Sequence, residues 1–422
     1  MKLPRAWQDD SGLIRHGTVL MIGTLAGAAC NAGFHMAVGR TLPNAEYGSL
    51  GAMLGLILVT STPMLAVQNT LAHFTAHLVQ EGRRGEILSL FWHWLGLFAV
   101  VSAALVAGAV VFRVPLAAFW GGIEPRLVVL TFSVLAVTLW MSLFYGLMQG
   151  MQSFGWLAWV PQAWGAVRMG FGWAFTALIS ATAVAAVWAQ GMGVLAVLVL
   201  GSLAVVRMHL PHVPAAVRPR GTYRYLGSAL VCLFGYAALM NLDITLVKHY
   251  FDAETTGLFA KAAMIARTAV FLPVPVATAL FPKVTSTGEL SDESWRLLGR
   301  ALAFGGVLIA GVAGVCLLWP QLPWTILYGR WSAAAAEPAA QLTRAMALAM
   351  SPLALAYILL NFEMAQRRFF WCFSLVPGAI AYVAGVAIFH SQPVQVALVL
   401  GSLNIVAVAL LGIGIVIQRR RG

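Results

Sequence analysis

The chain has 422 residues, 60% of them hydrophobic and 9% charged, with a net charge of +12. A soluble domain carries roughly 25% charged residues, so this composition excludes a soluble enzyme, a disordered chain and a secreted disulfide scaffold. It leaves an all-α polytopic membrane protein, because the apolar runs are continuous and about 20 residues long, whereas a β-barrel would alternate apolar and polar residues.

In chain order, twelve spans are predicted at about 17–39, 48–80, 88–112, 127–148, 157–188, 191–209, 226–247, 257–282, 297–319, 340–361, 369–390 and 393–417. The first follows Asp9 and Asp10 and meets no small-x-small site before Arg40, so it is expected to be a retained span rather than a cleaved leader. The second, fifth and eighth are long for a bilayer and predict tilted or protruding ends. The break between the fifth and sixth is placed at Gln190-Gly191, next to Gly193. The segment 210–225 holds Pro211, Pro214 and Pro219 at the chain's midpoint. It predicts a cytoplasmic linker between an N-terminal six-helix lobe, 1–209, and a C-terminal six-helix lobe, 226–422.

The Lys and Arg residues orient these spans. With the N-terminus inside, seventeen of the 26 fall in cytoplasmic segments, among them Arg83, Arg84, Arg218, Arg220, Arg224, Lys283, Arg367 and Arg368. Six fall outside (Arg40, Arg113, Arg126, Lys248, Arg330 and Arg344), and three lie within spans (Arg168, Lys261 and Arg267). This asymmetry places both termini in the cytoplasm. It also accounts for the positive charge as a topology signal, so no nucleic-acid partner is expected. Aromatic clusters such as Phe91-Trp92-His93-Trp94 suit an interfacial belt. Cys30, Cys232, Cys316 and Cys372 sit inside apolar runs without metal spacing and are read as packing residues. His73 and His77 share a helix face, but no third ligand accompanies them, so no metal is expected. No cofactor is implied, and there is no Gly-x-x-x-x-Gly-Lys loop for ATP.

An internal repeat joins the halves. Arg40-Thr-Leu-Pro-Asn44-Ala45-Glu46-Tyr-Gly48 is echoed by Lys248-His-Tyr-Phe-Asp252-Ala253-Glu254-Thr-Thr-Gly257. Both give a basic residue, Asx-Ala-Glu and a glycine opening the next span, and Pro63 and Pro273 follow at similar distances. Six spans per copy keep the orientation, so the repeat is parallel, as in two-lobed transporters with a central cavity.

These residues also resemble a known family. The Val38–Leu50 segment is similar to the first-loop signature of polysaccharide-transport, Wzx-like oligosaccharide flippases of the multidrug/oligosaccharidyl-lipid/polysaccharide exporter (MOP) superfamily. Asn241–Pro273 and Ala279–Thr285 resemble the family's seventh and eighth spans. The resemblance implies two six-helix lobes in a V, alternating access, and outward movement of polyprenyl-diphosphate-linked glycans across a bacterial inner membrane. Its implied partners are the lipid-linked oligosaccharide, membrane lipids and the polysaccharide assembly machinery.

Charge at the bilayer centre costs about 2.5–3.5 kcal/mol on insertion scales and marks a cavity or a partner. At 1.5 Å per residue, Arg168 lies roughly 16 Å into the fifth span and Arg267 roughly 15 Å into the eighth. Residue counting places no carboxylate at that depth, so both are candidate cavity cations for a diphosphate, whose oxygens suit the planar guanidinium fork. Asp243 and Lys261, near the outer ends of consecutive spans, are a candidate ion pair. Asn31, His35, Gln68 and Asn69 are candidate cavity groups for sugar hydroxyls.

A multidrug antiporter of the same fold is the alternative, and it would want a membrane-embedded carboxylate. A glycan polymerase or ligase is disfavoured because the outer loops offer no acid/base pair, so no enzymatic activity is expected. Reporter fusions test the orientation. Fusions after Arg84 and Arg220 should report cytoplasm and fusions after Arg126 and Arg330 the outside; reversal at either cytoplasmic site overturns it.

Overall fold

A segment crossing hydrocarbon must close its backbone hydrogen bonds internally, which each long apolar run does as a helix. The computed structural model describes residues 10–211, 213, 223–273, 292–329, 336–366 and 368–421. Among these described residues it is 88% helical, with no strand. Most of the predicted linker, together with Ala279–Thr285, Lys283, Arg330 and Arg367, lies outside them.

The first half of the chain forms α1 (Asp10–Thr41), α2 (Asn44–Ser61), α3 (Met64–Gln80), α4 (Gly85–Val111), α5 (Arg113–Phe119), α6 (Pro125–Thr138), α7 (Met141–Gly150), α8 (Phe154–Ala174) and α9 (Ala183–Arg207). The second forms α10 (Tyr223–Tyr250), α11 (Ala253–Phe271), α12 (Asp292–Leu318), α13 (Gln321–Tyr328), α14 (Ala336–Ala365), α15 (Leu375–Ile388) and α16 (Pro393–Arg421). The predicted second span is two helices, α2 and α3, parted at Thr62-Pro63, where proline has no N–H to donate. The fourth is likewise split into α6 and α7.

The break between the fifth and sixth spans is corrected. It falls at Ser180–Thr182, not at Gln190-Gly191. A five-residue π turn, Phe175–Ile179, ends the fifth span, and Ser180 is extended. Thr182 then caps α9 by accepting from the Ala185 amide at 3.4 Å. Gly193 lies inside α9 for packing: a Cβ there would stand 2.7 Å from the Trp164 carbonyl of α8.

Among the described residues, eight helices, or pairs of consecutive ones, are long and apolar enough to cross a membrane: α2 with α3, α4, α6 with α7, α9, α10, α12, α14 and α16. α1, α8, α11 and the shorter α15 complete a twelve-span count. Three of these four are the helices that carry Asn31 and His35, Arg168, and Lys261 and Arg267. Polarity in these helices lowers their hydropathy.

The repeat recurs in the elements. From α2 to α11 the starting residues advance by 253 − 44 = 209, from α5 to α13 by 321 − 113 = 208, and from α9 to α16 by 393 − 183 = 210. α5 and α13, short helices unforeseen in the sequence, each contain a proline, Pro115 and Pro323.

Chain contacts define two compact units. Unit 1 comprises Met1–Leu42, Met64–Leu116 and Glu124–Tyr223; unit 2 comprises Pro43–Pro63, Ala117–Ile123 and Arg224–Gly422. In unit 1, α8 packs between α1 and α9, and α6 lies against α4 and α9. In unit 2, α11 packs on α2 and α14. The two repeat motifs meet here. A Cβ on Gly257 would stand 2.1 Å from the Asn44 carbonyl, and one on Gly48 would stand 2.8 Å from the Gly257 amide. Small residues are what let two helix backbones approach this closely.

Asp252 caps α11, its Oδ1 accepting from the Glu254 and Thr255 amides at 3.0 Å each and its Oδ2 from the Thr255 hydroxyl at 2.6 Å. The Thr255 hydroxyl and amide hold its carboxyl below the ordinary carboxylate value. A depressed native value means the cap's contribution is present above the unfolded pKa and fades as pH falls through the native one. Asp252→Ala should therefore cost about 1 kcal/mol near neutral pH, read as a lowered melting temperature in detergent. The difference from wild type should shrink once the pH drops below about 4.

Candidate functional site

Arg168, on α8, is 3% exposed within unit 1. Its Nη1 donates to Gln190 Oε1 of α9 at 2.8 Å, and its Nη2 donates to Asn31 Oδ1 of α1 at 2.9 Å. The same Nη2 lies 3.2 Å from His35 Nε2. A guanidinium has no acceptor, so this contact uses the Nε2 lone pair of a neutral imidazole whose proton sits on Nδ1. Aromatic faces flank the charge: the Arg168 Cζ stands 3.8 Å from the Phe34 ring centroid and 4.3 Å from that of Trp164. Three helices thus converge on one cation. The missing side chain at Gly193 makes room for it, since a Cβ there would stand 3.0 Å from Arg168 Cβ.

Of the candidate sugar-binding groups, Asn31 and His35 join this cluster, whereas Gln68 and Asn69 do not. Gln68 donates through Nε2 to Gln149 Oε1 of α7 at 2.9 Å, and Asn69 is exposed. Gln190 was missed in the sequence, where it was taken for part of a break. The signal was available: an amide alone in an apolar run, like Asn31.

Unit 2 corrects the predicted pairing. Asp243 forms its ion pair with Arg267, not with Lys261, and both side chains are buried. The Arg267 Nε also donates to the Met240 carbonyl at 3.2 Å. The prediction matched residues by their distance in sequence from the hairpin turn. Asp243 lies seven residues before the end of α10 and Arg267 fourteen after the start of α11, an offset of seven residues or roughly 10 Å along a helix, which two side chains leaning towards their own helix N-termini close. Arg267 is therefore not a bare cation. Asp243 Oδ2 is buried without a hydrogen-bond partner among the described residues, so the carboxylate is only half satisfied.

Lys261 belongs to a different cluster. Its Nζ donates to Asn44 Oδ1 at 2.7 Å and stands 5.6 Å and 5.2 Å from the Tyr47 and Tyr328 ring centroids. Asn44 Nδ2 donates in turn to Glu254 Oε1, and the Tyr47 and Tyr328 hydroxyls lie 3.3 Å apart. The Asx and Glu of the repeat motif thus tie α2 to α11 side by side. Among the described residues, no three His, Cys, Asp or Glu side chains gather as a metal site. His77 lies instead beside Glu81, at 3.5 Å on the surface.

The fold has solved relatives. An inward-facing multidrug resistance MATE family transporter of the MOP superfamily superimposes with a TM-score of 0.76 at 11% identity, over 94% of each chain. The lipid II flippase MurJ, in an inward closed conformation, gives 0.69 at 12% identity, over 94% of this chain and 87% of its own. A MOP superfamily transporter from Pyrococcus furiosus, described by a binding pocket of reversed polarity, gives 0.68 at 12% identity, over 97% and 94%. At these identities the shared property is the fold, which is that of MOP transporters. No protein-family model matches the sequence, and no curated protein matches it by sequence.

Removing one partner of a buried pair leaves an uncompensated charge and typically costs 3–5 kcal/mol. Asp243→Asn should therefore lower the melting temperature in detergent strongly. Adding Arg267→Met should recover part of the loss, and adding Lys261→Met should recover none. Recovery with Lys261→Met alone would restore the pairing expected from the sequence.

Proposed function

We propose that this chain is a flippase of a bacterial inner membrane, with both termini in the cytoplasm. It moves a polyprenyl-diphosphate-linked oligosaccharide from the cytoplasmic to the outer leaflet by alternating access of two six-helix lobes, 1–209 and 226–422. The MOP fold over nearly the whole chain supports transport rather than glycan polymerisation. The observation that carries the substrate class is the Arg168 cluster: a deep guanidinium among amide, imidazole and aromatic groups. Amides and aromatic faces are the groups that engage sugar hydroxyls and ring faces. The fork is the group that grips a diphosphate. A phosphate oxygen is a stronger acceptor than the amide oxygens of Asn31 and Gln190, so substrate would displace them from the fork without moving Arg168. The flippase MurJ and the Pyrococcus furiosus transporter of reversed pocket polarity, both of this fold, give the reading precedent.

Arg267 contributes through its pair with Asp243. Substrate phosphate competing for the guanidinium, or a proton on the carboxylate, would loosen the pair and free α11 to shift against α10. An inside-negative potential of about 100 mV adds roughly 2.3 kcal/mol of outward drive per anionic charge carried across.

Asp243 also favours the second reading. It is a buried carboxylate in a span, the group that a multidrug antiporter needs for cations or protons. Two variants separate the readings. Arg168→Ala should abolish glycan export at wild-type protein level, with Arg168→Lys recovering part of it, because charge survives and the fork does not. If the antiporter reading holds instead, cells show a drug efflux that Asp243→Asn abolishes at matched protein level, and Arg168→Ala leaves glycan export unchanged. Normal export by Arg168→Ala removes this cluster from the mechanism.

A further inference from the structure

A lateral cavity of about 610 Å³ opens in unit 1 between α6 and α9; Arg168's partner Gln190 lies on α9 beside the lining residue Gly191 but does not itself line the cavity. This size lies within the roughly 300–1,000 Å³ of small-molecule sites. Two arginines stand at its mouth. Arg113 follows the end of α4 and Arg126 lies in the first turn of α6, so both sit on the membrane face where α4 ends and α6 and α9 begin. Below them the lining is apolar, with Leu130 and Val137 from α6 and Leu195 from α9. Ser133 turns its hydroxyl back to the Val129 carbonyl at 2.8 Å.

The dimensions select the occupant. From Pro125 to Val137 the wall descends about 18 Å at 1.5 Å per residue, close to half of a hydrocarbon core about 30 Å thick. The cavity is thus as deep as one leaflet. It opens sideways, because Trp188 and Leu195 on its α9 wall are exposed. Trp188, just below the arginines, suits the level of lipid headgroups. Charge selects the headgroup. Glu124 pairs with Arg126 at the surface, so the rim holds two guanidiniums and one carboxylate and keeps a net positive charge. That surface pair is screened and readily gives way to a phosphate.

We propose that this cavity binds an anionic phospholipid, with its phosphate between Arg113 and Arg126 and one acyl chain against α6 and α9. The site is independent of the flippase reading, since it shares no residue with the Arg168 cluster or the Asp243–Arg267 pair.

The test reconstitutes the full chain in vesicles of equal phosphatidylglycerol and phosphatidylethanolamine. It then counts the lipids retained after release into mild detergent by native mass spectrometry. Wild type should retain one phosphatidylglycerol with several-fold preference over phosphatidylethanolamine. Arg113→Gln with Arg126→Gln should reduce that preference to the vesicle ratio. Leu195→Trp, which fills the cavity and leaves both arginines, should lose the retained lipid; Leu130→Phe is the substitute if that variant does not elute as a single species. Unchanged preference in the double arginine variant overturns the proposal. So does unchanged retention in the filled variant, which would mean a headgroup contact without an acyl-chain site.

Discussion

Hydrocarbon supplies no hydrogen bonds, and this constraint decides where the buried charged side chains of the spans come to rest. Asp243 and Arg267 meet because neither can be left alone at that depth. Arg168 meets the same demand differently, with amide and imidazole acceptors at the edge of the guanidinium and aromatic rings over its faces. The two solutions have different consequences. An ion pair resists removal of either partner but yields to protonation or to a competing anion. A ring of neutral acceptors holds the fork in position and, in the proposed function, would present less competition to a substrate phosphate.

Close helix approach follows from the same constraint. Lipid tails are as apolar as leucine, so helices associate through tight packing rather than exclusion from solvent. Gly193 brings α9 onto α8 beside Arg168, and Gly48 and Gly257 bring α2 onto α11 beside the Asn44–Lys261 contact. Both of these clusters therefore stand next to a backbone approach that a larger residue would spoil. In this chain the glycines and the polar groups are one device, since the side-chain bonds have the reach to form only where the backbones come close.

How much of this could be read in the sequence depended on the kind of signal. The spans were legible because apolar runs of membrane length have few alternatives. Asn31, His35 and Arg168 stood out as polar residues in such runs, and the structure gathers them. Partner choice was not legible. Counting from a turn locates a residue along the helix axis but ignores rotation about it and the reach of a long side chain, so Asp243 was given to Lys261 and not to Arg267. Gln190 was lost because the glycines after it suggested a break, when the Ser180–Thr182 capping signal lay eight residues earlier. α5 and α13 are shorter than a span and merged into the loops around them.

The repeat conserves geometry and not charge. Its Asx-Ala-Glu turns, crossing glycines and the prolines that follow them recur about 209 residues apart, and so do the short helices α5 and α13. The deep charges do not. At that offset Arg168 corresponds to Pro377, Arg267 to Leu58 and Asp243 to Phe34. A symmetric pair of cation sites is therefore absent from the sequence itself. Each half of the chain supplies a different electrostatic element, a neutral-lined guanidinium in the first and a buried ion pair in the second. Two similar halves let a transporter rock between related conformations. In the proposed function, dissimilar charges would allow those conformations to differ in affinity for an anion, and only a difference in affinity lets a ligand shift the equilibrium between them.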